Sequence, residues 1–274
     1  MYQKILCSTH CSRPEYSKQF IDKLRECEDI QNWKLILCAE PLNEEVISLL
    51  RGIDFCEKDV IINPKILGVA LNARQAMTRG FEESDFIVYV ESDCLISRDS
   101  LVQLWRVGND YADCSSPTIS LFNRRFHNNG ADSYKESDFA NLEEVDRFVT
   151  YGYGAWKDKF SPVFQVMCDS SCLSCEEAPN MNYGMFNARD FTGINLSEKL
   201  YHQIIGGKTH PSHDIIINNF FAWQKKNHLT FSLGRVINNG VVGIHLTGNE
   251  SAWWQENVQC DVWADNIKEL TCTT

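Results

Sequence analysis

Four short apolar runs, separated by stretches of helical periodicity, constrain this chain more than any other feature of its sequence. They are Lys4 to Ser8, Trp33 to Ala39, Asp59 to Asn63 and Asp85 to Glu91. Each is short and apolar with few interruptions, the pattern of a strand buried on both faces rather than one with a wet side. Between the runs, Tyr16, Phe20 and Leu24 share one helical face, Val46, Leu49 and Leu50 another, and Val69, Ala73, Ala76 and Met77 a third. Such stripes are what a helix lays against a sheet. A further helix with Leu101, Leu104 and Trp105 aligned precedes a fifth strand-like run, Thr118 to Phe122. The alternation predicts an α/β fold with a doubly wound, largely parallel sheet flanked by helices. In such sheets ligands collect at the carboxyl ends of the strands.

The second half is less regular. From about Asn123 to Lys159 the sequence turns polar and reads as long loops, with one short helix around Leu142 to Val149. Strands are expected at Val163 to Met167, Asn182 to Asn187 and Thr230 to Leu233, and a helix from about His213 to Asn227. There is no internal repeat. The 274 residues, 43% of them hydrophobic, suffice for one large core, so residues 1–122 and 123–274 are read as two halves of a single domain.

Charge narrows the partners. With 26 Lys and Arg against 37 Asp and Glu, the formal net charge is -11, which disfavours nucleic acid and anionic membrane unless basic residues gather locally, as around Arg124, Arg125 and His127. No stretch reaches the roughly 18 to 20 apolar residues of a membrane span, and the first residues already read as a core strand, so a cytoplasmic chain without a signal peptide is expected. The twelve cysteines are then expected to be mostly buried free thiols. Cys168, Cys172 and Cys175 have a spacing open to an iron–sulfur cluster, a zinc knuckle or plain loop cysteines.

The chemistry begins at Tyr89-Val90-Glu91-Ser92-Asp93, an apolar strand running out into two carboxylates with one residue between them. Strand geometry continued through them would put Glu91 and Asp93 on one side, where one can bind a divalent ion and the other a ribose or a metal-bound water. Acids after a strand are also ordinary turn and cap material. The pair, in its place after the fourth strand, resembles the Asp-x-Asp motif of GT-A glycosyltransferases, in a Glu-x-Asp form. That family's order of features is matched over nearly the whole length. Cys7-Ser8-Thr9-His10-Cys11-Ser12-Arg13 is similar to the loop along the nucleobase and ribose, Glu40 stands after the second strand, and Gly68-Val69-Ala70-Leu71-Asn72-Ala73-Arg74 resembles the helix before the motif strand. Ser212-His213-Asp214 resembles the Glu-Asp pair that opens a helix near the acceptor, and Gly240 to His245 the segment with a late metal ligand.

The resemblance implies a GT-A type, Rossmann-like mixed sheet, a donor-binding first half and an acceptor-binding, catalytic second half. It implies transfer of a sugar from a nucleotide-sugar, with UDP as the family prior, to an acceptor hydroxyl. Asp93 and His245 would hold Mn2+ or Mg2+, and Thr9, Arg13, Glu40, Asn72, Arg74, Glu91 and Ser92 would meet the donor. Asp214 would be the base of an inverting reaction, although an Asp there also suits helix capping. His213 has no assigned role, and Trp253, Trp254 and Trp263 either cover the donor site or close the core. The acceptor is open: a glycan, a protein, a small molecule or a modified base in viral DNA. A sugar nucleotidyltransferase is the alternative enzyme, weakened because Ser8 to Glu15 contains no glycine. A sugar-binding domain on a degenerate transferase fold is the non-enzymatic one.

Overall fold

The structure, a computed structural model, describes residues 2–123, 141–146, 149–170 and 213–238. The four apolar runs are strands: β1 (Ile5–His10), β2 (Lys34–Ala39), β3 (Glu57–Ile62) and β4 (Phe86–Val90). Helices α1 (Pro14–Arg25), α2 (Glu44–Arg51) and α3 (Val69–Glu83) connect them, and β5 (Cys94–Ile96), α4 (Ser100–Asp110) and β6 (Thr118–Ser120) follow. The second half contributes β7 (Leu142–Val145), β8 (Gly152–Trp156), α5 (Lys157–Phe160), α6 (Val163–Ser170), α7 (His213–Trp223), β9 (His228–Phe231) and β10 (Val236–Asn238). Eight strands form one sheet in the order β3-β2-β1-β4-β8-β6-β9-β7, while β5 and β10 make a separate antiparallel pair.

Pairing in the β3-β2-β1-β4 half is parallel throughout. β8 opposes both of its neighbours and β7 opposes β9, so six of the eight strands run one way. The sheet is therefore mainly parallel, as the alternation predicted, and mixed, as the family resemblance implied. Period-two alternation divides each strand between two cores. Leu6, Leu35, Leu37, Val88 and Val90 pack with α1, α2 and α4 residues such as Phe20, Val46 and Leu104. Ile5, Cys7, Ile36, Ile87 and Tyr89 face α3, α6 and α7 through Ala73, Met77, Met167 and Ile216.

Three expectations are corrected in the second half. Val163 to Met167 is helix α6, because Val163 and Met167, four apart, are both fully buried on one helical face. A short apolar run carries no periodicity that separates the two states. The segment at Leu142 is strand β7 rather than a helix, recruited by pairing with β9. The region read as loops also holds β8, a fully buried strand between β4 and β6. Its sequence, Gly-Tyr-Gly-Ala-Trp, looks unlike a strand because the glycines serve packing. A Cβ on Gly154 would lie 2.3 Å from the ring of Phe86, and one on Gly108 of α4 2.4 Å from it. Phe86 lies between these two bare backbones and packs on Trp156, whose Nε1–H donates to the Gly108 carbonyl at 2.9 Å. In α3, Val69 is exposed and does not join the buried stripe.

The expected strand at Asn182 to Asn187 lies outside the described residues. Among them, the helix from His213 ends at Trp223, and the strand expected from Thr230 begins at His228. No helix among them is long and apolar enough to cross a membrane. Seven described cysteines are free thiols, of which Cys7, Cys27, Cys38 and Cys94 are buried. Cys168 falls in α6, whereas Cys172 and Cys175 lie outside the described residues.

Candidate metal and donor site

Because β1 to β4 are parallel, their carboxyl ends share one sheet edge, and the antiparallel β8 begins there, with Gly152 opposite Val90. β4 stops at Val90, and the chain then turns: the Cys94 N–H donates to the Glu91 carbonyl at 3.0 Å. Strand geometry does not persist through the two acids. A tight turn gathers them instead, and β5 is clamped as it leaves by pairing of Cys94, Leu95 and Ile96 with Asn238, Ile237 and Val236 of β10. Glu91, Asp93 and Cys94 each offer a donor atom, and these atoms lie within 4.8 Å of one another.

The electrostatics of this turn favour an added cation. Burial, and then the charges of Asp93 and Asp214, push the Glu91 carboxyl well above the usual carboxylate range, with Arg13 opposing them. Burial and the same Asp93 and Glu91 charges raise the Cys94 thiol well above its ordinary value, so it stays protonated. Its Sγ–H donates to Asp93 Oδ1 at 3.8 Å. The set therefore offers carboxylate oxygens rather than a thiolate. That chemistry fits a hard divalent cation such as Mn2+ or Mg2+.

Two cationic or ionisable groups border the turn. Arg13 Nη2 donates to Asp93 Oδ2 at 2.9 Å. Pro14 fixes this geometry from below. The residue before a proline is held extended, as Arg13 is at φ -107 and ψ 93, and the proline itself starts α1. From the other side, His213 Nε2 lies 3.3 Å from Glu91 Oε1. His213 is the first residue of α7, edge-on to Tyr89 and buried, and burial lowers its pKa while the Asp214 charge opposes that shift. Asp214 stands in the first turn of α7, close enough for its charge to raise Glu91 and Tyr151.

Thr9, Arg13, Glu91, Ser92, Asp93 and Asp214 are thus brought to one edge of the sheet. Thr9 Oγ1 is bonded to the Tyr89 hydroxyl at 2.8 Å, and Ser92 is part-buried in the turn. Glu40 and Asn72 stand one loop away and shape it. The Glu40 carboxylate accepts from the Leu67 and Gly68 N–H groups at 2.9 to 3.1 Å and from Asn63 Nδ2 at 3.0 Å. Asn63 Nδ2 also donates to Asn72 Oδ1 at 3.0 Å, and Gln75 Nε2 donates to Asn63 Oδ1 at 3.0 Å. This buried network sets the loop at residues 63–68, where Gly68 takes the positive φ of 79 that favours glycine.

Arg74 is placed apart from the acidic turn. It lines a groove with Ile61, Leu67 and Thr78. Ile61 belongs to edge strand β3, three strand positions and so about 14 Å from β4. His245 lies outside the described residues. The last described residue before it, Asn238, sits opposite Cys94, so β10 ends beside the acidic turn.

Sequence reasoning missed three contributors. Tyr151 is pressed against the site just before β8, its phenol raised well above the ordinary tyrosine value by burial and by the neighbouring Glu91, Asp214 and Asp93 carboxylates. Its carbonyl accepts from the Glu91 N–H at 3.4 Å. Tyr151 falls in the stretch read as loop, so nothing local announced it. Cys94 was visible only as an apolar residue after the acids, and Asn63 only as a strand end.

A mixed α/β sheet with acids at the end of a central strand is the class that the fold and site define. No family model and no curated protein sequence matches the chain. Among solved structures it is similar to the mannosyltransferase PcManGT from Pyrobaculum calidifontis in complex with GDP-Man and Mn2+, at 11% identity and a TM-score of 0.47, covering 81% of this chain and 70% of that one. It is also similar to S. aureus TarS 1-349, at 11% identity and a TM-score of 0.44, covering 93% of this chain and 78% of that one. For TarS 1-349 in complex with UDP-GlcNAc the identity is 12% and the TM-score 0.41, covering 61% of this chain and 47% of that one.

Proposed function

We propose that this protein is a metal-dependent glycosyltransferase that moves a sugar from a nucleotide-sugar to an acceptor hydroxyl, with inversion at the anomeric carbon. One observation carries the reading: the donor atoms of Glu91 and Asp93 converge within 4.8 Å at the carboxyl end of β4, on an edge that α7 borders with Asp214. Carboxylates crowded this way repel one another, and a divalent cation relieves that repulsion.

In this reading Asp93 is the principal metal ligand and Glu91 contacts the metal shell or the ribose. A bound Mn2+ or Mg2+ supplies Lewis-acid stabilisation of the leaving diphosphate. Every other part falls to the chain. Thr9, held by Tyr89, and Ser92 line the donor side, while Glu40 and Asn72 act through the loop they hold at residues 63–68. Asp214 accepts the proton of the acceptor hydroxyl as that hydroxyl attacks the anomeric carbon, which inverts the centre. His213 packs behind the Glu91 carboxylate. His245 is the proposed further ligand: it stands seven positions beyond Asn238, which ends β10 beside the turn, a span of at most roughly 25 Å when extended. UDP is the proposed nucleotide.

Calorimetric titration with UDP and UDP-sugars tests the reading, in Mn2+ and then in excess EDTA, beside an assay for donor hydrolysis. Binding that needs the metal is expected. Failure of UDP and GDP alike to bind in the presence of Mn2+ would remove the transferase reading.

A further inference from the structure

The Arg13–Asp93 ion pair is the contact at the acidic turn that the proposed metal site does not explain. Asp93 Oδ2, an oxygen that a divalent cation would take, accepts from Arg13 Nη2 at 2.9 Å. A divalent cation and a guanidinium drawn to the same carboxylate repel one another, so each weakens the other's hold on it. The two side chains are 32% and 18% exposed, so the pair is neither a deeply buried structural lock nor a fully solvated contact. A pair in that position is strong enough to form and weak enough to be displaced by a doubly charged ion.

Arg13 is also built to let go without being lost. Its backbone is held extended before Pro14, while its guanidinium carbon lies 4.4 Å from the ring centre of Tyr16, one turn further on in α1. The ring offers the cation a resting face that needs no carboxylate. A guanidinium released from Asp93 therefore stays at the carboxyl edge of β1, where a planar fork of donors matches a diphosphate.

We infer that Arg13 is the resident counter-ion of the metal site, holding Asp93 when no divalent cation is bound and passing to the donor's diphosphate when one is. The inference rests on the metal-site reading above and adds a linkage to it. Metal binding alone works against the ion pair, because the metal charge repels the guanidinium. Metal binding with a nucleoside diphosphate gives the freed guanidinium a new partner, so the two ligands assist each other through Arg13, and by linkage the assistance is reciprocal.

The test is Mn2+ binding to the full chain, read as free Mn2+ by electron paramagnetic resonance, without nucleotide and then with saturating UDP. Arg13→Gln removes the competing cation and is expected to bind Mn2+ alone about fivefold more tightly than wild type, which is ~1 kcal/mol. The factor by which UDP tightens Mn2+ binding should shrink by a similar amount. Arg13→Lys keeps the charge but loses the planar fork, and should fall between the two; circular dichroism checks that both variants are folded. Mn2+ affinity in Arg13→Gln and Arg13→Lys equal to or weaker than wild type overturns the inference while leaving the metal site standing. No Mn2+ binding by any of the three proteins overturns the site and the inference together.

Discussion

Asp93 and Asp214 are both acids at one sheet edge, yet their surroundings separate their roles. Asp93 sits in the turn, in contact with Arg13 and the Cys94 thiol, while Asp214 lies in the first turn of α7, after His213, which backs onto Glu91. Asp93→Ala should abolish metal-dependent UDP binding, and retention of that binding in calorimetry would remove Asp93 from the metal site. Asp214→Asn should bind UDP normally and lose about 10²- to 10⁴-fold in turnover, the usual worth of a positioned base. Unimpaired turnover in single-turnover assays would return Asp214 to a helix-capping role.

At the scale of elements, the site depends on two pieces of packing remote from the chemistry. The first is the close approach of β8 and α4 to Phe86. Gly154→Ala forces a methyl into the ring and should cost about 1 to 3 kcal/mol in urea unfolding, with no loss confined to metal binding. The second is the clamp on β5, where fully buried Arg235 donates through Nε to Asp99 Oδ2 at 3.3 Å and through Nη1 to the Leu233 carbonyl at 3.0 Å. Ser97 Oγ also donates to Asp99 Oδ1 at 2.7 Å. Arg235→Met strands the Asp99 carboxylate in the interior and should destabilise by about 3 to 5 kcal/mol, whereas adding Asp99→Asn should recover part of that loss. A double variant no more stable than the single one would show that the arginine acts through packing alone.

For the whole molecule, the buried histidines His228 and His10 contribute to the response to acid. His228 bonds Thr118 Oγ1 through Nδ1 at 2.7 Å, and burial pulls its pKa down to about 3. His10, bonded to Ser17 Oγ, is likewise pulled down to about 3 by burial. The unfolded chain takes up these protons near pH 6.5 and the folded chain does not. Each histidine therefore contributes stability that is whole above pH 6.5 and is lost as the pH falls toward 3. Between pH 7 and pH 5.5 the loss is about 1 kcal/mol for each. His228→Gln keeps a polar partner for Thr118 without that proton, so its urea-unfolding stability should fall about 1 kcal/mol less than wild type over this interval. Identical pH slopes would show that His228 takes up its proton equally in the folded and unfolded states. Glu91, with its raised pKa, acts in the opposite sense in the metal-free protein, and the comparison of two proteins cancels it.

The sequence by itself determined the parallel half of the sheet and the acids at its edge. Strands buried on both faces must be nearly all apolar, and helices lying on them must show stripes, so β1 to β4 and α1 to α3 are written locally. So are Glu91 and Asp93, because two acids directly after such a strand stand out against it. Only the tertiary structure decided the rest. β8 is a strand because Phe86 requires bare backbone on both sides of it, a demand made by residues far away in the chain. β7 is a strand because β9 offered it a partner, and α6 is a helix because its short apolar run fitted either state until packing chose. The gathering of the two carboxylates comes from a turn, not from strand geometry, and the contacts of Arg13, His213 and Tyr151 with that turn join it to segments 60 to 122 residues away in the chain. Spacing along a chain records which side chains share a face of one element; which elements meet is recorded only in the energy of the assembled core.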